Sequence, residues 1–118
     1  MVDNWNNFLD NNNMITDFTT KLAERLNEYK DASGLTYFGH YEVVTKVGPK
    51  YTKVLRVEVG HDGAKNHSAI VAFVNNNTGD IFKPASFNTP AKHARGNVHS
   101  DQNGMEAIDP MGFVHYLK

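Results

Sequence analysis

The sequence predicts an α+β fold, in which an N-terminal amphipathic helix packs on an antiparallel β-sheet and a loop-rich basic segment forms the C-terminal part. Two observations predict this class. Apolar residues in the first quarter of the chain recur every three or four positions, as on one face of a helix, whereas after Gly34 they alternate at every second position, as in strands. The chain has 118 residues, which is the size of one domain, so we expect a single domain over residues 1–118.

The helix is predicted over residues 14–31, and Gly34 is well placed to end it. Its apolar stripe has intervals of three, four, four and three residues and consists of Ile15, Phe18, Leu22, Leu26 and Tyr29. Upstream, the spacing of Trp5, Phe8 and Leu9 favours a separate short helix over residues 3–10. The asparagine run at 11–13 is expected to separate the two helices, because Asn caps helix ends.

Two strands follow, over residues 37–47 and 51–59, and the intervening Gly48, Pro49 and Lys50 predict a hairpin turn. In the second strand the odd-numbered positions from Tyr51 to Val59 form one face, which we expect to be core, and the even-numbered positions form a largely wet face. Residues 67–74 are apolar on both faces and predict a central strand.

The remaining elements are predicted to be short. Residues 80–83 start a strand that Pro84 ends or places at an edge. Pro90 can open a single helical turn through residues 91–95, with Gly96 as its stop. Residues 97–110 are expected to form a loop, and residues 112–117 predict a final strand.

Composition and motifs exclude several function classes. The chain contains no cysteine, which excludes a disulfide scaffold, a cysteine-ligated metal site and a thiol nucleophile. No apolar run approaches the roughly 20 residues of a membrane span, so no membrane partner is expected. The histidines lack zinc-ligand spacing, and the serine-hydrolase turn and both glycine-rich phosphate motifs are missing. We therefore expect no cofactor, no metal and no catalytic residue.

Charge is unevenly distributed along the chain, although the net charge is only -1. Residues 1–35 hold three cations and six acids, whereas residues 81–100 hold three cations and no acid. A nearly neutral protein with one cationic stretch suits a compact anion better than a long polyanion. We expect no long nucleic acid as a partner.

The cations of this stretch can neutralise phosphates. They are Lys83, Lys92 and Arg95, and the guanidinium of Arg95 can bind one phosphate through two hydrogen bonds. Lys92 and Arg95 lie on one face if residues 91–95 form the predicted helical turn. The alternative is that all three cations are simply solvated.

Flat rings and polar groups lie between these cations in the sequence. Phe82 and Phe87 offer surfaces on which a base can stack, or they are core. Carboxylate, hydroxyl and amide side chains in the same segment can hydrogen-bond ribose hydroxyls or base edges, and the acid at position 80 is otherwise a turn residue. The predicted ligand-binding residues are Asp80, Phe82, Lys83, Ser86, Lys92, Arg95 and Asn97.

This segment resembles a signature of small phage-encoded proteins. It reads Gly-Asp-Ile-Phe-Lys-Pro-Ala-Ser over residues 79–86 and Pro-Ala-Lys-His-Ala-Arg-Gly-Asn over residues 90–97, and it is similar to the first type of the Thoeris anti-defence sponge family. The match is tight over residues 79–97 and loose from residue 67 to the C-terminus. In the N-terminal half it amounts to a helix followed by strands, and Phe87 stands where the resemblance leads us to expect Trp.

The resemblance implies a non-catalytic protein that captures cyclic ADP-ribose isomers, which a bacterial immune TIR enzyme makes, so that they cannot activate their effector. Some members also hold cyclic oligonucleotides. It further implies a homo-oligomer, a dimer or higher, with ligand sites between subunits, acting in the cytoplasm of an infected bacterial host. We expect the first helix and the cluster of Trp5, Phe8 and Leu9 to form the subunit contact. Arg95 is then the expected pyrophosphate ligand.

Three other functions remain open. One is an enzyme that cleaves the messenger with His93 or His99 as general acid or base. Another is a binder of single-stranded nucleic acid that uses the same lysines, arginine and phenylalanines. The third is a structural phage protein with no ligand.

Overall fold

The computed structural model describes residues 2–114, with side chains from residue 11 onward. The five strands form one antiparallel sheet in chain order, and the helix packs on one of its faces, so the predicted α+β fold is confirmed. The elements are α1 (Val2–Ser33), β1 (His40–Val47), β2 (Tyr51–Val59), β3 (Lys65–Asn75), β4 (Asp80–Pro84), β5 (Pro90–Asn97) and a 3-10 turn (Met105–Ala107).

The helix α1 is continuous through the asparagine run, so the expected interruption is wrong. The side chain of Asn11 is buried and bonded to other parts of the chain instead of capping a helix end. Its Nδ2 donates to the carbonyls of Asn76 (2.8 Å) and Asn77 (2.7 Å), and its Oδ1 accepts from Nε2 of His99. These tertiary bonds outweigh the local capping preference of Asn. The side chains of Trp5, Phe8 and Leu9 lie outside the described side chains.

The apolar stripe of α1 is the core side of the helix, as predicted. Its four buried members pack with residues from four strands, and the cluster includes Ile15, Phe18, Leu22, Leu26, Tyr41, Val54, Val74 and Ile81. The helix ends at Gly34, which has a φ of +71°, and the N–H of Leu35 donates back to the carbonyl of Lys30 at 3.1 Å. Glycine suits this left-handed position at a helix end.

The first hairpin forms as predicted, although β1 begins at His40 rather than at residue 37, and β2 runs over the predicted residues. The central position of β3 is confirmed because it is third of five strands, although only Phe73 and Val74 pair with β4.

The predicted division of β2 into a core face and a wet face is wrong. Thr52 and Val54 are fully buried on the side that α1 covers. Leu55 and Val57 are also buried, on the opposite side, close to Phe87. Both faces of β2 therefore carry buried residues.

Residues 90–97 form the strand β5, so the predicted helical turn at 91–95 is wrong and the basic segment is less loop-rich than expected. The pairs Pro84–Pro90 and Phe82–Ala94 place β5 alongside β4. A five-residue helix gains few hydrogen bonds for the order it requires, whereas the free edge of β4 offers a ladder of them. Lys92 and Arg95 are therefore not neighbours on a helix face.

The C-terminal segment is fixed to α1 by Arg25. Its guanidinium donates to the carbonyls of Met105 (3.0 Å) and Ile108 (2.7 Å). Of the predicted final strand over 112–117, a single bridge between Ile108 and Val114 is formed, and residues 115–117 lie outside the described residues.

Candidate functional site

A groove of about 400 Å³ lies on the sheet face opposite α1, at the turn between β1 and β2. Three lysines face it: Lys46 from β1, Lys50 from the turn and Lys53 from β2. The volume falls in the range of roughly 300–1,000 Å³ that small-molecule sites occupy. Its lining comprises Lys46, Val47, Gly48, Pro49, Lys50, Tyr51, Lys53, Phe73 and Asn88. We refer to it as the lysine groove.

The register of the first hairpin brings two of these lysines together. Lys46 pairs directly with Lys53 across β1 and β2, so their side chains project from the same face of the sheet. Directly opposed like charges destabilise a strand pair. Lys53 is half-buried, and Lys46 and Lys50 are exposed.

Asn76, in the turn after β3, holds the β1–β2 turn in place. Its Nδ2 donates to the carbonyl of Gly48 (2.7 Å), its backbone N–H donates to the carbonyl of Lys50 (2.8 Å), and its Oδ1 accepts from the hydroxyl of Thr52 (2.6 Å). Because Asn11 of α1 binds the carbonyl of Asn76, the groove is tied to the helix on the other side of the sheet. The turn that carries Lys50 is therefore well supported.

Aromatic rings form one wall of the groove. The ring of Tyr51 meets those of Phe73 and Phe82 edge-on, with centroids 6.1 and 5.7 Å apart, a favoured arrangement for aromatic pairs. Phe73 is buried, whereas Tyr51 and Phe82 are half-buried. Tyr51 and Phe73 line the groove, and Phe82 lies next to it, against Tyr51. The ammonium of Lys50 lies 5.4 Å from the centroid of Tyr51.

The tip of the β4–β5 hairpin lies over the same sheet face. A tight turn over residues 85–89 forms it, closed by a hydrogen bond of 2.9 Å from the N–H of Ala85 to the carbonyl of Thr89. Nζ of Lys53 donates to Oδ1 of Asn88 at 2.6 Å and lies 4.4 Å from the ring centroid of Phe87. Beyond Phe87 lies a second groove of about 350 Å³, also lined by Val44, Lys46, Leu55, Val57, Lys65, Asn66 and Ser68.

Of the predicted site residues, Phe82 lies on the side of the sheet that carries the lysine groove. Phe82 pairs with Phe73 on one side and with Ala94 on the other. Lys92 is exposed and lies between Ala94 and Pro90, where the pairing of β5 with β4 shifts, and it is not among the residues that line the groove. Lys83 follows Phe82 in β4 and projects from the other face.

Asp80 and Asn97 are paired at the opposite end of the β4–β5 hairpin. Nδ2 of Asn97 donates to Oδ1 of Asp80 at 3.0 Å and to the carbonyl of Thr78 at 2.9 Å. The hydroxyl of Thr78 donates to Oδ2 of Asp80 at 3.1 Å. These contacts close the turn between β3 and β4.

The two other predicted residues lie elsewhere on the hairpin. Ser86 is an exposed residue of the tip, whose N–H donates to the carbonyl of Thr89 at 3.1 Å. Arg95 is half-buried and is the additional residue of a bulge, since Ile81 pairs with Gly96 and Phe82 pairs with Ala94. The roles of both as ligands stay predictions.

The sequence reasoning missed the three groove lysines, Tyr51 and Asn88. The three-residue turn predicted at Gly48–Lys50 would place Lys46 opposite Thr52. The observed turn has two residues, Pro49 and Lys50, and this difference of one residue brings Lys46 opposite Lys53. The approach of Asn88 to Lys53 joins residues 35 positions apart, and it depends on how the second hairpin curves over the sheet. No local pattern signals that approach.

Two groups at the β1 edge have altered acidity. Burial raises the pKa of Tyr41, opposed by the nearby charge of Arg56. The hydrogen bond from Lys65, 3.3 Å away, lowers the pKa of the Glu42 carboxyl, and His40 adds to the effect. Both groups belong to the sheet edge rather than to the lysine groove.

The described part of the chain holds neither a cluster of metal-ligating side chains nor a membrane-spanning helix. No three His, Asp or Glu side chains are grouped there as metal ligands. None of the described helices combines the length and the apolar composition that crossing a membrane requires.

Residues 5–117 match a family of unknown function, DUF7717. Neither the curated proteins nor the solved structures contain a match. Because the family match covers nearly the whole chain, the protein belongs to the DUF7717 family.

Proposed function

We propose that the protein binds a small phosphorylated nucleotide in the lysine groove and holds it without cleaving it. The observation that carries the proposal is the Lys46–Lys53 pair with Lys50 beside it. Three ammonium groups around one groove repel each other, and the direct cross-strand pair costs stability. A phosphate or pyrophosphate offsets that repulsion and gains a charge-assisted hydrogen bond from each lysine that it reaches.

The rings beside the lysines support a nucleotide over a simple inorganic anion. A base can stack on the ring of Tyr51 or Phe82, and base–aromatic stacking contributes roughly 1–3 kcal/mol per base. The amide of Asn88 can hydrogen-bond a base edge or a ribose hydroxyl. Cations, rings and an amide therefore surround one space.

The ligand class we propose is a cyclic ADP-ribose isomer, with cyclic oligonucleotides as the second class, on the resemblance over residues 79–97. Such a messenger carries a pyrophosphate, two riboses and an adenine, and these need cations, polar groups and a ring surface. The proposed role is an anti-defence sponge in the cytoplasm of an infected bacterial host. Sequestration requires tight binding alone, and the groove lining offers amines, rings and an amide rather than an acid–base pair.

Calorimetric titration with cyclic ADP-ribose isomers tests the site. Lys50→Ala and Lys46→Ala are each expected to weaken binding about tenfold, because a hydrogen bond to a charged group contributes roughly 1.5–3 kcal/mol. Lys21→Ala is the matched control, since this exposed lysine lies on α1 and donates to Asn103. Unchanged affinity in both groove variants would show that the ligand binds elsewhere.

The same titration tests Arg95 as a pyrophosphate ligand. A bidentate guanidinium contact costs roughly 2–5 kcal/mol when truncated, which is about thirty-fold or more in affinity. Arg95→Lys should then bind almost as weakly as Arg95→Ala, because lysine lacks the planar fork. Wild-type affinity in Arg95→Ala, together with weak binding in Lys50→Ala, would restrict the site to the lysine groove.

Recovery of the ligand separates a sponge from an enzyme. The protein is saturated with a cyclic ADP-ribose isomer, incubated and heat-denatured, and the released molecule is analysed by mass spectrometry. Intact ligand in equimolar amount is the expected result. An accumulating linear product would identify a messenger-cleaving enzyme, with His93 or His99 as the first residues to replace.

Single-stranded nucleic acid is a second candidate ligand, because grooves lie on both sides of the Phe87 tip along one open sheet face. A charged face with exposed rings can follow a strand and stack its bases. Oligonucleotides of increasing length distinguish the two. Affinity that rises with length and falls steeply with salt favours this candidate, whereas affinity that stays level beyond a dinucleotide favours the messenger.

A further inference from the structure

We propose that the open edge of β1 pairs with the β1 edge of a second copy of this chain, antiparallel and centred on Thr45, so that two five-stranded sheets join into one. This proposal does not depend on the lysine groove or its ligand, and it places the subunit contact on the sheet rather than on α1.

The hydrogen bonds of the first hairpin show which backbone groups of β1 point away from the sheet. Gly48, which pairs with Tyr51, donates its N–H to the carbonyl of Tyr51 at 2.9 Å. Bonding pairs alternate along an antiparallel ladder, so even-numbered residues of β1 bond to β2 and odd-numbered residues point outward. Tyr41 agrees with this assignment, because its N–H and C=O bond to the amide of Asn27 at 2.7 and 3.0 Å.

Asn27 therefore closes the edge at Tyr41 and leaves the rest of β1 open. In the described part of the chain, no group pairs with the outward N–H and C=O of Val43, Thr45 and Val47. These three residues are spaced symmetrically about Thr45. An antiparallel second copy in that register pairs Thr45 with Thr45 and Val43 with Val47, and it satisfies all three residues on both chains.

The two edges of the sheet differ in how well they resist such pairing. The β5 edge begins with Pro90, and its pairing with β4 is interrupted by two irregularities. Prolines and bulges discourage a further strand. The β1 strand has neither and pairs with β2 over eight residues without a shift. Its sequence, His-Tyr-Glu-Val-Val-Thr-Lys-Val, is rich in residues that favour strands.

Side chains support the same register on both faces of the joined sheet. On the helix side, Val47 is 67% exposed and would lie opposite Val43 of the second copy. Val43 borders a groove of about 560 Å³ between α1 and β1, lined in part by Thr19, Thr20 and Ala23. The small side chains that line this groove leave space for Val47 of the second copy and for the β1–β2 turn that follows it.

The charges along β1 are complementary to those of its own antiparallel copy. On the face opposite α1, Glu42 lies towards one end of the strand and Lys46 towards the other. In the proposed register Glu42 is diagonal to Lys46 of the second copy, a distance that long side chains span. Thr45 faces its own copy, a pair that can exchange a hydroxyl hydrogen bond.

A single introduced cysteine tests the register. The chain has no cysteine, so any disulfide in a Thr45→Cys variant joins two molecules. Directly paired residues that hydrogen-bond across antiparallel strands have Cα atoms about 5.5 Å apart, within the range of a disulfide. We expect rapid oxidation to a covalent dimer. Val44→Cys is the neighbouring control and Thr20→Cys is the control on α1, and both should stay largely monomeric on a non-reducing gel.

Light scattering of charge variants tests the interface without a covalent bond. Wild type is expected at twice the chain mass of 13.2 kDa. Thr45→Lys and Thr45→Glu should each weaken the dimer about fivefold or more, because the twofold axis opposes each new charge to itself. An equimolar mixture of the two should recover the dimer. A monomeric wild type, cross-linking at Val44 instead of Thr45, or variants that remain dimeric would overturn the proposal.

Discussion

The two faces of the sheet are built from the same strands but differ in what covers them. On the helix side, Phe18 of α1 and Val54 of β2 are completely buried in one apolar cluster. On the other side, the preceding residue of β2, Lys53, is half-buried beside two further lysines and the rings of Tyr51 and Phe73. The covered face contributes most of the buried apolar packing, whereas the open face keeps like charges close together, which lowers folding stability. This difference between the two faces is the basis on which we propose a ligand site on the open face.

The largest expected effect is on the covered face, through Phe18→Ala. Deleting a fully buried phenylalanine removes its packing and leaves a cavity, which lowers the free energy of unfolding by roughly 3–5 kcal/mol. Urea denaturation followed by circular dichroism measures the change. Val44→Ala is the control on the open side, since Val44 is 36% exposed, and it should change stability by less than about 1 kcal/mol.

The same variant tests whether the covered face affects ligand binding on the open face. Under conditions in which Phe18→Ala remains folded, its affinity for the ligand should stay within about twofold of wild type. A large loss of affinity in a folded Phe18→Ala variant would show that the two faces are coupled. The idea that core packing and ligand binding are independent would then be wrong.

The elements that the sequence predicts correctly are those whose pattern is local. The stripe from Ile15 to Leu26 specifies a helix face because its repeat matches the helical period. The β1–β2 hairpin follows from alternation on both sides of Gly48 and Pro49. The interior strand β3 is apolar on both sides, which only a position inside the sheet allows.

The predictions that fail depend on contacts between distant parts of the chain. Asn11 continues the helix because it binds a turn 65 residues away, and the cap preference of Asn says nothing about that turn. Residues 90–97 become a strand because β4 offers a free edge. For the candidate site, the only predicted residue that the structure places beside the lysine groove is Phe82, which packs against Tyr51. The sequence reasoning misses the lysines of the first hairpin, since no motif links them to the second hairpin.

A further prediction concerns ligand binding and separates the effect of the Lys53 charge from the effect of its hydrogen bond to Asn88. Lys53→Ala removes a cation from the groove and should weaken ligand binding about tenfold. Asn88→Ala leaves the cation in place and removes the amide, which bonds Lys53 in the free protein and would add at most one neutral hydrogen bond to a base edge or a ribose hydroxyl. We expect the affinity of Asn88→Ala to stay within about threefold of wild type. Equal losses in the two variants, measured by calorimetry, would mean that the closed tip rather than the charge holds the ligand.

The smallest expected effect is that of Asp80→Asn. The carboxylate of Asp80 accepts from the neutral groups of Asn97 and Thr78, at the end of the β4–β5 hairpin away from Asn88. An asparagine keeps one acceptor oxygen for these contacts, so the free energy of unfolding should fall by less than about 1 kcal/mol. Removing a negative charge far from the lysines should change affinity by less than about twofold. The contrary outcome is a tenfold weaker complex by calorimetry for a variant that still unfolds at the wild-type urea concentration. In that case Asp80 contacts the ligand, as the sequence predicts, and the site extends along the whole β4–β5 hairpin.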